Sequence, residues 1–314
     1  MLLLLEDFMM RKSVIILLLS FFGILFGGCD SGSVEKGSGK LVITSGMAPV
    51  AWLTRCIAGD KAEVRSLLPE GRSPHDYAPE PQDILAASRS RLFFSCGMPF
   101  EENLVSALKQ SKVKIVDVSS GVRRIPFGDS EHHHHHDGKT HDHDCSRDGM
   151  DPHIWLSLEN CWSMAKNICR ELCNADPANR QFYEKNHSEL EQKLLAGEKY
   201  VAAKLASRKG RSFYVYHPAF GYFAAMTGLQ QVAVELGGRE ATPAHLADVI
   251  RRAKQDKVKV IFVQPQFSPL GMKALAKAIG GEVAEMDPLA ADVLSNIKKM
   301  TDALVRGFEA EANK

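Results

Sequence analysis

Beyond residue 40 the chain alternates short apolar runs with longer segments of helical period. Residues 41–45, 62–68, 91–95 and 113–118 read as strands. Helices are expected over 49–58, from Pro81 onward, and over 100–110. Short apolar runs separated by helices are the pattern of a parallel sheet covered on both faces. The rhythm breaks at 121–149, a polar stretch of low complexity without periodicity, which reads as a surface loop. It resumes with a helix over 157–173. A second helix starts at Asp176-Pro177 and runs to about Ser207. Its apolar positions, Phe182, Leu190, Leu194, Leu195, Val201 and Leu205, are sparse among charges, which suits a brace between lobes better than a core element. Strands then follow at 213–216, 231–235, 258–263 and 283–286. They alternate with helices at 218–226, 243–254, 270–279 and 292–310. Thr242-Pro243 places a good cap and a good first-turn residue at one helix start. The fold expected is α/β: two lobes, each a mostly parallel sheet flanked by helices, joined by one long helix.

The N-terminus has a different character. Arg11 and Lys12 precede an apolar run from Val14 to Phe26 that ends in Gly27-Gly28-Cys29. This is a charged region, an apolar region and a small-residue cleavage site, hence an export signal over 1–28. The run is shorter than the ~20 residues a membrane-spanning helix needs. Small residues directly before Cys29 resemble the bacterial lipoprotein box, so Cys29 is the expected lipidation site. Asp30 after it resembles an inner-membrane retention signal. Residues 29–40, rich in Ser and Gly, read as a flexible tether. Gly37-Ser38-Gly39-Lys40 lacks the spacing of a phosphate loop. The domain plan is therefore a first lobe over 41–176 carrying the loop, a linking helix over 177–209, and a second lobe over 210–314.

Composition narrows the chemistry. The formal net charge is +1 and no long basic stripe occurs, which excludes nucleic acid as a partner. Cys56, Cys96, Cys145, Cys161, Cys169 and Cys173 form no CxxC pair, so no zinc ribbon is indicated. Cys161, Cys169 and Cys173 share one helical face and read as buried thiols. Cys145, beside the histidine run, is a further soft-ligand candidate.

The histidines carry the signal. His75 lies in Ser73-Pro74-His75-Asp76-Tyr77, His153 in Asp151-Pro152-His153-Ile154-Trp155, and His217 in Tyr216-His217-Pro218. Asp287, in Met286-Asp287-Pro288-Leu289, is a fourth candidate. Ligands of open α/β sheets bind beyond the carboxyl ends of strands, and His75, His217 and Asp287 follow strand ends on this map. Three imidazoles and one carboxylate suit tetrahedral Zn²⁺ at ~2.0–2.2 Å. A lone loop histidine is most often a hydrogen-bonded surface residue, and Asp287 before Pro288 is also a good turn residue. The joint pattern is what points to a metal held in the cleft between the lobes. Between the first two candidates lie His132, His133, His134, His135, His136, His141 and His143, interspersed with Asp137, Asp142 and Asp144. They read as an auxiliary capture segment that gathers zinc weakly near neutral pH. His187 and His245 are expected in solvent, and Asp76 and Glu80 as helix-start charges.

In order along the chain come Ser73-Pro74-His75-Asp76-Tyr77 with Pro79-Glu80-Pro81, Asp151-Pro152-His153-Ile154-Trp155-Leu156, Tyr216-His217-Pro218-Ala219-Phe220, Val260 to Phe267, and Asp287-Pro288-Leu289. Together they resemble the metal-binding solute-binding proteins of zinc and manganese ABC transporters, over essentially the whole mature chain. The resemblance implies an extracytoplasmic, lipid-anchored, monomeric receptor that hands its metal to a permease and its ATPase. His217 at the third ligand position resembles the zinc branch, so Zn²⁺ is the expected cargo; manganese or iron is the alternative. The chain departs from the family at Gln264, where Glu is frequent. Gln264 is not expected to ligate, and the departure bears on lobe packing or docking. Two further readings compete. A zinc hydrolase would need an open coordination position, and no HExxH occurs, so no enzyme is expected. A surface adhesin or zinc buffer would lack the permease.

Overall fold

The computed structural model describes residues 40–128, 149–236, 239–267 and 269–312. The export signal, Cys29, all but the last residue of the tether, Cys145 and the seven loop histidines lie outside the described residues.

Two four-stranded sheets organise the rest. The first contains β1 (Leu41–Ser45), β2 (Ala62–Ser66), β3 (Leu92–Ser95) and β4 (Lys114–Asp117), ordered β2-β1-β3-β4. The second contains β5 (Ser212–Val215), β6 (Gln230–Ala233), β7 (Val260–Val263) and β8 (Glu282–Glu285), ordered β6-β5-β7-β8. Every pairing is parallel. The sequence explains the order. Central β3, Leu-Phe-Phe-Ser, is buried at every position, whereas the edge strand β2, Ala-Glu-Val-Arg-Ser, alternates toward solvent. A central parallel strand has both faces covered and must be apolar throughout.

Helices α1 (Ala48–Ala58), α2 (Pro81–Ser88), α3 (Pro99–Leu108) and α4 (Leu158–Ala175) belong to the first lobe. The long helix α5 (Arg180–Leu205) follows. Helices α6 (Gly221–Thr227), α7 (Pro243–Gln255), α8 (Pro269–Ile279) and α9 (Val293–Ala312) complete the second. Local chemistry sets their ends. Glu80 and Asp83 form a reciprocal capping box at α2, Ser157 caps α4, and Thr242 caps α7 ahead of Pro243. Helix α5 buries Tyr183, Leu190, Leu194, Gly197, Val201 and Leu205 as one stripe. It packs on α1 and α4 from the first lobe and on α9 from the second, which makes it the expected brace. Gly197 sits at the crossing: a Cβ there would come within 2.5 Å of Leu294 Cδ1 and 3.0 Å of Leu158 Cδ1.

The two lobes share one apolar interior. A single buried cluster runs from Ile43 and Phe93 through Trp155 to Phe213, Phe220 and Met286, while Tyr214, Val232 and Ile261 head a second cluster in the second lobe. Two buried hydrogen bonds cross between lobes: Trp155 Nε1 donates to Pro288 O at 2.7 Å, and Tyr222 Oη to Asp151 O at 3.1 Å.

Several expectations need correction. Helix α6 starts at Gly221 rather than Pro218, because the 216–220 segment is occupied in turning the chain past His217. Strand β2 ends at Ser66, and β7 begins at Val260. Leu195 is exposed rather than part of the apolar stripe of α5. His187 and His245 are not in open solvent. His187 is half-buried with Nε2 shielded, and His245 Nε2 lies 3.3 Å from Ala233 O. Cys96, Cys161, Cys169 and Cys173 are buried free thiols; Cys56 is free and partly buried.

Candidate metal centre

Three loops bring three imidazoles to one point between the lobes. His75 lies in the connection from β2 to α2, where its amide donates to Ser73 Oγ at 3.3 Å. His153 follows Pro152 and opens a 3-10 turn, Ile154–Leu156, whose Trp155 is anchored across the lobe boundary. His217 follows β5 directly. Its amide donates to Gln264 Oε1 at 3.2 Å, and Gln264 Nε2 donates to His217 O at 2.7 Å.

His75 Nε2 and His153 Nε2 are 3.3 Å apart, and one ligand atom from each of His75, His153 and His217 lies within 4.8 Å of the others. Two nitrogens each ~2.0–2.1 Å from a tetrahedral zinc stand about 3.3–3.4 Å apart, so this spacing is that of zinc ligands. The remaining space, walled by the three histidines, Gln266 and Phe267 among others, is about 10 Å³. That is the room of a single water-sized sphere.

The ring orientations are set from behind. Asp151 Oδ1 accepts from His153 N at 2.9 Å and lies 2.8 Å from His153 Nδ1. Glu235 Oε2 lies 2.6 Å from His217 Nδ1. A carboxylate on Nδ1 selects the tautomer whose Nε2 lone pair faces forward, the usual support of a metal-binding imidazole. Phe127 packs on both His153 and His217, and Phe267 stacks on His217 with centroids 5.3 Å apart. This apolar jacket removes water from the imidazoles. Burial, assisted by His153, holds His75 down at about 3, and burial also holds His217 well below the usual histidine value. Both rings are therefore neutral, with lone pairs available, at ordinary pH. Burial pushes the Glu235 carboxyl up to about 7, with Asp76 and Glu240 adding to the effect. In the metal-free protein below that pH, the His217–Glu235 pair holds one proton more than it does above it.

Asp287 stands beside this group and is not drawn into it. Its Oδ1 accepts from Gln266 Nε2 and from Leu289 N, each at 2.9 Å, and its carbonyl accepts from Asn296 Nδ2 at 2.6 Å. It lines a neighbouring hollow of about 350 Å³. Asp76 is exposed, and Glu80 serves as the cap of α2.

Residues given no role in the sequence reading complete the centre. Asp151 was visible in the Asp-Pro-His motif. Glu235 lies just beyond β6, so the rule that sites gather at strand ends would have found it. Gln266 and Phe267 adjoin a recognised motif but carry no ligand signature. The imidazoles fit a zinc-sized ion on structural grounds: His217 Nε2 is buried and partnerless, as expected where a cation belongs.

Comparison with known proteins shows the family. The family described as "Zinc-uptake complex component A periplasmic" matches residues 42–307. The manganese ABC transporter substrate-binding lipoprotein PsaA of Streptococcus pneumoniae is 31% identical over 283 residues, covering 85% of this chain and 86% of that protein. The high-affinity zinc uptake system protein ZnuA of Bacillus subtilis is 31% identical over 263 residues, covering 82% and 81%. Among solved structures, a zinc-bound deletion mutant of ZnuA superposes with a TM-score of 0.76 at 30% identity, covering 85% of this chain and 98% of that one.

Proposed function

The chain belongs to the family of the periplasmic zinc-uptake complex component A, and from that premise we propose that it captures Zn²⁺ for import. The family supplies the coarser statement: this is a metal substrate-binding protein of an ABC transporter, a receptor rather than an enzyme, working with a permease and an ATPase.

The observation that carries the zinc reading is the convergence of three imidazoles, His75, His153 and His217, on a cavity the size of one ion. Nitrogen-rich sets favour zinc, whereas manganese favours carboxylate and carbonyl oxygen. His75, His153 and His217 bind through Nε2, and Asp151 and Glu235 hold the second and third of these rings. Asp287, beside them in the second lobe, is the proposed fourth donor. The histidine run His132 to His136 with His141 and His143 gathers zinc ahead of the cleft. Cys29 carries the lipid that keeps the exported chain, as a monomer, at the extracytoplasmic membrane face.

Competitive titration with Zn²⁺ and Mn²⁺ tests this. His75→Ala, His153→Ala and His217→Ala are each expected to weaken tight zinc binding at least a hundredfold. Mn²⁺ displacing Zn²⁺ at comparable concentration, or the three variants retaining zinc, would refute the reading. Deleting residues 131–144 is expected to lower metal stoichiometry and leave the cleft ion in place.

A further inference from the structure

We propose that Phe127 is the movable barrier past which the metal enters and leaves the cleft. Its ring stands between the imidazoles and an open hollow beside α7, and it swings into that hollow to let the ion pass. This assignment rests on the reading of the cleft as a zinc site and adds the path by which that site fills.

Phe127 covers the gap between two of the histidines. His153 and His217 come from different lobes, with ring centroids 5.3 Å apart. The Phe127 ring stacks on His153 at 5.9 Å and leans on His217 at 5.8 Å. The same residue lines a hollow of about 760 Å³, whose walls include Glu235, Leu236, His245 and Asp248. Leu236, Asp248 and Arg251 on its rim are exposed, so the hollow opens to solvent. Glu235 belongs to both spaces: it lines the hollow, and its Oε2 lies 2.6 Å from His217 Nδ1. The wall between the imidazoles and the hollow is here a single layer of side chains.

The backbone that carries the ring is pinned, and the ring is not. Phe127 N donates to Gly149 O at 2.9 Å, and Asp151 N donates to Ile125 O at 2.8 Å. Arg124 in the same segment donates to Cys96 O at 3.2 Å and to Ser119 Oγ at 2.8 Å. The phenyl group has no polar atom, so packing alone sets its place. Turning it about its first side-chain bond exchanges one staggered rotamer for another and breaks no hydrogen bond. The cost is the loss of its ring contacts, and the hollow supplies the room.

The wall on the Asp287 side is closed differently. There Gln266 Nε2 and Leu289 N both donate to Asp287 Oδ1, and Trp155 Nε1 donates to Pro288 O at 2.7 Å. Passing through that wall to the hollow of about 350 Å³ beyond it requires several of these bonds to open together. Each one opened away from water leaves a polar group unpaired, which costs more than giving up a ring contact. The ion therefore takes the Phe127 side.

The test uses the purified protein in stopped flow: zinc-loaded protein is mixed with excess chelating dye, and metal-free protein with Zn²⁺. Phe127→Ala is expected to raise the release and capture rates together, each about tenfold, the scale of lost aromatic contacts expressed as a rate. The dissociation constant is the ratio of the two rates, so it should move less than about threefold. Phe127→Leu, which keeps an apolar cover, should give a smaller rise in both. Leu236→Trp, which adds bulk to the hollow and leaves the histidines untouched, should slow both. Near-UV circular dichroism checks the fold of each metal-free variant, and if Phe127→Ala loses the native spectrum the other two decide. Faster release alone, with affinity weakened by the same factor, would overturn the proposal, because Phe127 would then be packing that only holds the bound state together. So would unchanged rates in Phe127→Leu and Leu236→Trp. If His217→Ala retained zinc as the unaltered chain does, the zinc site itself would have failed, whatever the rates.

Discussion

Gln264 grips both backbone groups of His217: its Oε1 accepts from the amide and its Nε2 donates to the carbonyl. A side chain that both gives and receives is needed for this, and an ionised glutamate only receives. The Gln at this position thus acts on the placement of a proposed ligand, through a side chain 1% exposed. Gln264→Leu leaves the His217 carbonyl without its donor, a loss of about 1–3 kcal/mol. The expected result is a lower melting temperature of the metal-free protein and weaker zinc binding, read by calorimetry and chelator competition. Unchanged values in both would show that the grip is incidental.

Glu235 and Asp151 each hold the rear nitrogen of a proposed ligand. Glu235→Gln and Asp151→Asn should each lower zinc affinity about tenfold to a hundredfold, as loss of outer partners does elsewhere. The number of zinc ions bound in the cleft should not change. Isothermal titration at fixed pH reads both quantities.

Gly221 opens α6 where the second lobe meets the first. A Cβ there would fall 2.5 Å from Asp151 Oδ2 and 3.2 Å from Ile125 Cδ1. Gly221→Ala must therefore displace Asp151, and with it the His153 ring. Zinc affinity is expected to drop by an amount similar to that of Asp151→Asn, and combining the two changes should give much less than their sum, since coupled neighbours are not additive. Full additivity in that double-mutant cycle would contradict the contact.

The pH dependence follows from the same residues. Burial holds His75 near 3, so protonation of that imidazole does not compete with zinc until strongly acid pH. Glu235 is pushed up to about 7 in the metal-free protein. Zinc on Nε2 favours Nδ1–H facing an ionised carboxylate, so below about pH 7 binding must release the proton held at the His217–Glu235 contact. Release favours binding as pH rises; affinity should therefore be flat above about 7 and fall below it, by at most tenfold per pH unit for one proton. Glu235→Gln, which holds no titrating proton, should flatten the slope. Unperturbed imidazoles titrate near ~6.5, so any metal held by the histidine run should leave first on acidification. A slope unaltered in Glu235→Gln would remove the carboxyl from the account.

Much of this protein is legible in the linear chain because the relevant signals are local. The apolar run Leu92-Phe93-Phe94 specifies a strand covered on both sides, and Thr242-Pro243 and Ser157 start helices by chemistry within one turn. The three histidines stand out for a related reason: each sits in a proline-flanked loop, and the rule that sites lie past strand ends is itself a chain-order rule. Glu235 obeyed that rule and was passed over, having no second histidine or proline beside it.

How Asp287 is held beside the imidazoles was decided only in three dimensions. Asp287 and Gln266 are distant in sequence, and nothing in either motif says that one would be tied by the other. The same holds for the hold of Gln264 on His217 and for the gap at Gly221 that admits Asp151. Residue type and periodicity determine which groups are available and which face of an element they share. Distances between groups on different lobes depend on how α5 and the common apolar interior seat one sheet against the other, and a difference of one ångström there separates a ligand from a bystander.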